Sequence, residues 1–260
     1  MNIFKIIKYY YLNTGLLNTV LKILRKPFKI LRNKYLEKKI FSKKNSSQIF
    51  SEIYKSNYWN EKESKSGTGS SLKSTEEVRK ELPVLINELK INSILDVPCG
   101  DFFWFKKIID DLNINYIGGD IVEEIVFKNK KFENTNVSFK KINLINDALP
   151  DADLILCRDC LFHFSYEDIN NTFENLKISN FKYLLFTNHD LEFKNIQNKD
   201  IPTGLFRFLD FHKNPYNFKK NHIKEILDLD FPPSYVEKKM LLFSKKEFIN
   251  NIEHYQKNLK

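Results

Sequence analysis

Apolar and polar positions follow two different patterns along this chain, one in residues 17–35 and one from residue 75 onward. Over residues 17–35 the apolar side chains recur every three or four positions, with Lys and Arg largely between them, which is typical of a basic amphipathic helix. Pro27 is expected to kink or divide that helix, because proline has no N–H and its ring clashes with the preceding turn. From residue 75 onward, short apolar runs alternate with helical stretches, which is typical of βαβ units.

Seven apolar runs predict seven strands, at residues 93–97, 115–120, 137–142, 152–157, 182–187, 223–229 and 239–245. The last is expected as an antiparallel edge strand. Helices are predicted at 75–89, with Thr75 as N-cap, and at 102–112. The pattern predicts an α/β fold, with a Rossmann-like, seven-stranded, mostly parallel sheet, helices on both faces and an N-terminal helical extension. Ligands of such sheets bind outside the carboxyl ends of the strands.

Three stretches between these elements are expected to be irregular. Residues 43–51 are polar and Ser-rich, which is typical of a linker, and 61–74 contain a Ser-Gly-Thr-Gly-Ser-Ser run that is typical of a mobile loop. Residues 191–221 form a long loop, and long loops in compact domains are usually functional. We expect the second and third stretches to close over a ligand pocket.

Length and composition fit one main domain, residues 45–260, with residues 1–44 as an extension. The 260 residues are 42% hydrophobic and 29% charged, which suits a globular chain with a sizeable core. No stretch approaches the ~18 to 20 uninterrupted apolar residues of a spanning helix. The first residues lack a small-residue cleavage site, so no signal peptide is expected. The odd count of three cysteines favours a reducing compartment, the cytoplasm by default.

The net charge of +9 is concentrated at one end of the chain. Residues 1–44 carry twelve Lys and Arg against the single acid Glu37, which leaves 30 basic and 32 acidic residues in the remainder. The near-neutral body argues against a nucleic-acid partner. The basic extension either contacts an anionic membrane surface as a peripheral helix or packs on protein, and the sequence leaves both open.

A candidate ligand turn follows the first predicted strand. Its single glycine, Gly100, permits close backbone approach, and the helix expected after it offers free N–H groups. The three glycines of a dinucleotide-binding turn are missing, which favours a nucleoside without phosphates. Asp120, at the end of the second strand, is spaced to accept hydrogen bonds from both ribose hydroxyls. Its alternative role is a helix N-cap directly before Ile121.

The sequence at this point resembles the class I S-adenosylmethionine-dependent methyltransferases, over roughly residues 58–248. It is most similar to a group of bacterial small-molecule methyltransferases with Ser-Gly-x-Gly-Ser, Leu-Asp-x-Pro-Cys-Gly-Asp-Phe-x-Trp, Tyr-Ile-Gly-x-Asp-Ile and Cys-Arg-Asp-Cys-Leu-x-His. These stretches stand here, in the same order, at residues 66–70, 95–104, 116–121 and 157–163. Four ordered matches are far more specific than one glycine turn.

The resemblance implies S-adenosylmethionine as cofactor and a small-molecule acceptor. The cofactor residues that it implies are Asp96, Pro98, Cys99, Gly100, Asp120, Ile121, Asn143, Cys157 and Arg158. Asn143 departs from the usual acid that accepts from the adenine amine, because its amide oxygen carries no charge. The expected acceptor-binding residues are Trp59, Ser66, Gly67, Asn188 and Arg207, with Arg207 available for an anionic group.

The resemblance also implies that the methyl-transfer path borders the end of the fourth strand. His163 is the candidate general base, because an ordinary histidine pKa of ~6.5 lies near working pH. Asp159 is expected to orient the acceptor or stabilise charge. The alternative is that both residues only pack or bond backbone at the strand end. No metal is expected, although Cys157-x-x-Cys160-x-x-His163 has the spacing of a zinc half-site.

The leading hypothesis is methyl transfer to a hydroxyl or amine of a small molecule, with a sugar or polysaccharide precursor as one such class. One alternative is a non-catalytic module that binds S-adenosylmethionine or another nucleoside. The other is a nucleic-acid methyltransferase, which predicts that binding falls steeply with salt.

Overall fold

The computed structural model describes residues 31–43, 45–59, 61–192, 195–229 and 236–258. The chain forms two units, Met1–Lys44 and Asn45–Lys260. The predicted amphipathic helix and its break at Pro27 lie mostly outside the described residues. Residues 31–40 are helical and are named α1. No helix among the described residues combines the length and the apolarity that crossing a membrane requires.

Helix α1 has one exposed stripe and one buried stripe. Leu36 and Ile40 are buried, whereas Leu31 and Tyr35 are 65% and 67% exposed. Three lysines share the exposed stripe, at positions 34, 38 and 39. The spacing of three or four residues places the two apolar side chains and the lysines on the same helical face.

One seven-stranded sheet organises the second unit. Its strands are β1 (Ser93–Asp96), β2 (Asn115–Asp120), β3 (Val137–Lys141), β4 (Ala152–Cys157), β5 (Phe181–Asp190), β6 (Lys224–Leu227) and β7 (Glu237–Ser244). The strand order is β3-β2-β1-β4-β5-β7-β6, and β1 to β5 pair in parallel. Strand β7 runs antiparallel to both of its neighbours. The expectation that the seventh strand forms the edge is therefore wrong, because β6 lies outside it.

Strand β5 is longer than predicted. It continues to Asp190 because its last residues pair with β7, Asn188 with Lys239 and His189 with Lys238. Asn188 and His189 therefore lie inside the strand rather than in a loop after it. No local pattern predicts this extension, since the residues are polar and the partner strand is some fifty positions away.

The helices are α2 (Ser46–Lys55), α3 (Glu76–Glu88), α4 (Glu123–Asn129), α5 (Tyr166–Ile178) and α6 (Lys245–Asn258). The linker prediction for residues 43–51 is wrong from residue 45 onward. The side chain of Asn45 accepts a hydrogen bond from the Gln48 N–H at 3.0 Å and caps α2. Thr75 stands at the N-cap position of α3 as predicted, but its hydroxyl makes no capping hydrogen bond and donates instead to the carbonyl oxygen of Ser71, at 2.9 Å.

The segment after β1 is not the α-helix that was predicted at 102–112. It consists of two 3₁₀ turns, Phe105–Lys107 and Ile109–Asp111, separated by Ile108 with a φ of -125°. Phe102 also has a positive φ of 58°. The apolar period is nevertheless used, since Phe102, Phe105 and Ile108 are buried in the core on one face of the sheet. The periodicity identified the buried positions but not the type of helix.

Candidate active site

A cleft lies at the carboxyl ends of β1, β2 and β4, as expected for a ligand site in such a sheet. It contains about 920 Å³ of empty space, a figure that includes the open mouth of the cleft. The sequence-predicted residues that line it are Trp59, Ser66, Asp96, Pro98, Cys99, Gly100, Asp120, Ile121, Asn143, Arg158, Asp159 and His163. Most of the candidate residues are thus brought together.

The turn after β1 is shaped by Gly100. Its φ of 55° lies in the left-handed region that favours glycine, and an added Cβ would lie 2.5 Å from the Ser66 hydroxyl oxygen. That hydroxyl accepts a hydrogen bond from the Asp101 N–H at 2.8 Å. The glycine therefore allows the loop that contains Ser66 to approach the first turn.

Asp120 joins the turn after β1 to the start of α4. Its Oδ2 accepts a hydrogen bond from the Gly100 N–H at 3.1 Å, and its Oδ1 accepts one from the Val122 N–H at 2.9 Å. Burial raises the pKa of the Asp120 carboxyl to about 6, against the lowering effect of these bonds. The carboxylate therefore bonds backbone at the end of β2, and each oxygen still has a lone pair for a ligand.

Asp96 is a second buried carboxyl group in the cleft. The Tyr116 hydroxyl donates to its Oδ2 at 2.7 Å. Burial raises the pKa of Asp96 to about 7, while the tyrosine hydrogen bond and the charge of Arg158 act in the lowering direction. The cleft thus has two carboxyl groups, at the ends of neighbouring strands, that titrate near neutral pH.

Asn143 lines the cleft beyond β3, where an adenine-binding residue is expected. Its Oδ1 already accepts a hydrogen bond from the Ile145 N–H at 3.1 Å. The oxygen retains one further lone pair. Ile121, after Asp120, adds an apolar side chain to the same part of the cleft.

His163 ends a 3₁₀ turn, Leu161–His163, that follows β4. Its Nδ1 lies 2.8 Å from the Leu205 carbonyl oxygen, and its ring centroid lies 5.5 Å from that of Trp59. Burial lowers the pKa of His163 to about 4. The ordinary histidine pKa assumed from the sequence is therefore wrong here, because the buried imidazole is a weaker base.

Asp159 is the second residue after β4 and has a positive φ of 52°. Its Oδ1 lies 3.1 Å from the Lys238 ammonium, and its Oδ2 lies 3.4 Å from the Arg158 guanidinium. Burial alone would raise the pKa of Asp159, but these two cations outweigh it and hold the pKa well below its usual range. Asp159 is therefore ionised and is too weak a base to remove a proton from an acceptor.

Arg158 is largely committed to protein partners. Its Nη2 donates to the Gly69 carbonyl oxygen at 2.7 Å and to Asp228 Oδ1 at 2.8 Å. The guanidinium carbon lies 5.5 Å from the centre of the Trp104 ring. Arg158 lines the cleft as predicted, and its hydrogen bonds connect the end of β4 to the Thr68–Ser70 turn.

The Ser-Gly loop is held against the first turn. The Ser64 hydroxyl donates to Asp101 Oδ1 at 2.8 Å, and the Lys65 N–H donates to Asp101 Oδ2 at 3.0 Å. Ser70, which the sequence did not single out, lines the cleft from the Thr68–Ser70 turn. The predicted loop thus covers the cleft through specific hydrogen bonds.

Four predicted residues do not line this cleft. Asn188 lies in a separate polar pocket, where its Oδ1 accepts from the Phe211 N–H at 2.7 Å. Arg207 is buried elsewhere, donating to the Phe164 carbonyl oxygen and lying 5.1 Å from the Tyr166 ring. Cys157 and Gly67 also lie outside the lining. Cys157 lies in the core as part of β4, and Gly67 packs against Trp59.

The cleft also contains residues that sequence reasoning missed. Phe50 and Tyr54 lie on α2, in a segment that was interpreted partly as a linker, and Trp104 and Cys160 were only part of quoted motifs. The spacing of Phe50 and Tyr54 by four positions was the available signal, since it places both rings on one helical face. Among the described residues, no group of three or more His, Cys, Asp or Glu side chains is arranged to hold a metal ion.

No protein-family model matches this sequence, and no curated protein matches it significantly. Solved structures of similar fold include magnesium protoporphyrin IX methyltransferase from Synechocystis PCC 6803 with bound SAH, at 10% identity and a TM-score of 0.49, covering 66% of this chain and 83% of that one. A Pyrococcus horikoshii OT3 protein, PH0226, has 18% identity and a TM-score of 0.45, over 66% and 88% of the two chains. The [4+2]-cyclase SpnF has 13% identity and a TM-score of 0.48, over 63% and 79%.

The chain has the predicted Rossmann-like α/β fold, with five parallel strands and the antiparallel β7 between β5 and β6. Likeness at these identities is a likeness of fold alone, and one fold hosts many activities. The functional argument therefore rests on the side chains of this cleft.

Proposed function

We propose that this protein transfers the methyl group of S-adenosylmethionine to a hydroxyl or amine of a small molecule. The observation that carries the proposal is the pairing, in one cleft, of the Asp120 carboxylate beside the Gly100 turn with an uncharged His163 at the end of β4. The Asp120 carboxylate beside the Gly100 turn suits the binding of a ribose. The uncharged histidine has a nitrogen lone pair available for the proton of an acceptor.

The residues of the cleft fit the cofactor. The Gly100 turn lines the cleft next to Asp120, and Asp120 retains lone pairs for two ribose hydroxyls. Asn143 retains an acceptor position for the adenine amine, and Asp96 offers a carboxylate for the ammonium group of the methionine part. When bound, S-adenosylmethionine supplies a methyl group activated by a sulfonium.

His163 acts as the proton acceptor. The Leu205 carbonyl oxygen can only accept, so the Nδ1 of His163 carries the hydrogen and Nε2 has the lone pair. With its pKa lowered to about 4, the imidazole is uncharged at neutral pH. The same burial disfavours the imidazolium, so Nε2 takes the proton only as the new bond to the methyl group makes the proton of the acceptor strongly acidic. Asp159, ionised at the pocket wall, orients the acceptor by accepting a hydrogen bond from it.

The charges of the cleft restrict the acceptor. Among its lining residues in the described part of the chain, Arg158 is the one with a permanent positive charge, and it is already bonded to Gly69 and Asp228. Three carboxyl groups and several aromatic rings make up much of the remaining surface. An uncharged or cationic acceptor, such as a neutral sugar or an amine, therefore fits better than a phosphorylated one.

Calorimetry tests the cofactor, and methyl transfer to pooled acceptors tests the activity. We expect S-adenosylmethionine to bind and NAD not to bind, and we expect radiolabelled methyl to appear in a neutral or amine acceptor. Binding without transfer to any acceptor pool would favour the non-catalytic nucleoside-binding module. Tight binding of NAD and none of S-adenosylmethionine would refute the proposal.

We also propose that residues 1–44 contact an anionic membrane surface. The exposed stripe of α1 favours this partner over nucleic acid, because it presents Leu31 and Tyr35 between lysines. Apolar side chains of this kind bury between lipid headgroups while the lysines meet anionic lipid. Localisation at the inner face of the cytoplasmic membrane follows from the same proposal.

A further inference from the structure

Four buried charged side chains form a closed ring behind the wall of the cleft. Arg158 contacts Asp228 at 2.8 Å and Asp159 at 3.4 Å. On the other side, Lys238 contacts Asp159 at 3.1 Å and Asp228 at 3.6 Å. Cations and anions alternate around the ring, so each charge has two opposite neighbours. The members come from the end of β4, the residue after β6 and the start of β7.

The ring is buried except at one member. Side-chain exposure is 4% for Arg158, 2% for Lys238 and 0% for Asp228, but 20% for Asp159. Removing charges from water costs several kcal/mol per ion, so such a ring is weak evidence for a stabilising role. Asp159 also has a left-handed backbone with a φ of 52°, which is unfavourable for a residue with a side chain. Backbone strain of this kind clusters at functional sites.

The ring is in direct contact with the turn that covers the cleft. Arg158 donates from Nη2 to the Gly69 carbonyl oxygen at 2.7 Å. An added Cβ on Gly69 would lie 2.1 Å from Asp159 Oδ2 and 3.7 Å from Lys238 Nζ. The next residue, Ser70, lines the cleft itself. The turn therefore packs directly on the ring, and only glycine permits this close approach.

We propose that Lys238 and Asp228 are positioning residues of the methyl-transfer site. They fix Asp159 and Arg158 at the wall of the cleft and, through Arg158, hold the Thr68–Ser70 turn over the cofactor. The assignment rests on the proposed function, since the site that they position is the one that binds S-adenosylmethionine. Strands β6 and β7 thereby contribute to a site whose ligand-facing residues come from β1, β2 and β4.

A charge-balanced double variant tests the assignment. Lys238→Met with Asp228→Asn removes one cation and one anion and leaves Arg158 paired with Asp159. Replacing a buried ion pair as a unit is often neutral for stability, whereas removing one partner alone is costly. Lys238→Arg preserves the charge and serves as the rescue variant. Lys239→Met is the matched control, since Lys239 is the next residue of β7 and pairs with Asp190 and Glu225 away from the cleft.

Two measurements on the full chain report on the turn and the cofactor. Trypsin cleavage after the exposed Lys65 reports opening of the loop, and calorimetry gives the dissociation constant of S-adenosylmethionine. In the double variant we expect the cleavage rate and the dissociation constant each to rise roughly tenfold. The melting temperature should stay near that of the wild type. Lys238→Arg and Lys239→Met are expected to stay within about twofold of the wild type for both.

The outcomes separate this assignment from the proposed function. A folded double variant with wild-type cleavage and wild-type affinity overturns the positioning role. If the double variant does not fold, Lys238→Gln with Asp228→Asn, which removes the same two charges but keeps polar side chains of similar size, takes its place with the same expectation. A wild-type chain that does not bind S-adenosylmethionine refutes the proposed function, whatever the variants do.

Discussion

The Nδ1 atom of His163 lies 2.8 Å from the carbonyl oxygen of Leu205. This hydrogen bond fixes the tautomer, because a carbonyl oxygen can only accept, and it leaves the lone pair on Nε2. A loop residue 42 positions away thus determines which nitrogen of the candidate base is available for chemistry.

Replacement of His163 by alanine should separate chemistry from cofactor binding. We expect turnover to fall by ~100-fold or more, since the proton acceptor is lost, with the dissociation constant of S-adenosylmethionine nearly unchanged. Transfer of radiolabelled methyl and calorimetry measure the two quantities. His254→Ala is the control, because His254 is exposed on α6. Undiminished turnover in His163→Ala would show that the histidine is structural.

The same histidine should make the protein sensitive to acid. Its pKa is about 4 in the folded chain against 6.5 for the ordinary group. As pH falls, the histidine of the unfolded chain is therefore protonated before that of the folded chain. The contribution of uncharged His163 to the free energy of unfolding is complete above pH 6.5 and is lost as the pH falls from 6.5 to about 4. The loss is on the order of 3 kcal/mol. Urea unfolding of wild type and His163→Asn at pH 7 and pH 4.5 checks this, and equal losses in both proteins would contradict it.

Asp120 should make cofactor binding depend on pH. Its pKa of about 6 means that it is ionised above pH 6, and ribose hydroxyls bind the ionised form best. The affinity for S-adenosylmethionine should therefore fall by about tenfold per pH unit below 6 from this group alone. Asp120→Asn should bind roughly 10- to 100-fold more weakly at pH 7.

The pH profile of Asp120→Asn supplies the comparison for that experiment. Asp96 titrates in the same range, with a pKa of about 7, and contributes to both proteins. Only the difference between the two profiles belongs to Asp120. Parallel profiles for wild type and variant would mean that Asp120 does not contact the cofactor.

The sequence predicted the parts of the fold that depend on local pattern. The bounds of β2 and β4 agree with the predicted 115–120 and 152–157, because a buried parallel strand is a short apolar run between turn residues. The segment at 102–112 shows the limit of that pattern. Its apolar period is right, but Ile108 departs from helical dihedrals and divides it into two 3₁₀ turns.

Parts of the site that depend on distant pairing could not be predicted. Lys238 and Asp228 stand in no motif and are separated from Asp159 by more than sixty positions. They reach it because β7 inserts antiparallel between β5 and β6. The misplacement of Asn188 has the same origin, since its pairing with Lys239 in β7 keeps it within β5.

Gly118, within β2, should be required because no larger residue fits at its position. An added Cβ on Gly118 would lie 2.5 Å from Cδ1 of Phe139 on the neighbouring strand and 3.1 Å from Cys99 Sγ. Gly118→Ala is therefore expected to destabilise the fold by about 1 to 3 kcal/mol. Adding Phe139→Leu should recover part of that loss, because the smaller side chain leaves room. Urea unfolding measures both, and a Gly118→Ala protein as stable as wild type would contradict the packing argument.

The basic stripe of α1 should bind anionic lipid. Each lysine near such a surface contributes about 1 kcal/mol, so replacing Lys34, Lys38 and Lys39 together by glutamine should weaken binding to vesicles containing anionic lipid by roughly 100-fold. Sedimentation of the full chain with these vesicles measures the effect, and vesicles of neutral lipid should retain little protein. Replacing Lys62, Lys140 and Lys219, which are also exposed, is the matched control and should change little. Binding to RNA that falls steeply with salt, with no binding to anionic vesicles, would instead favour the nucleic-acid partner.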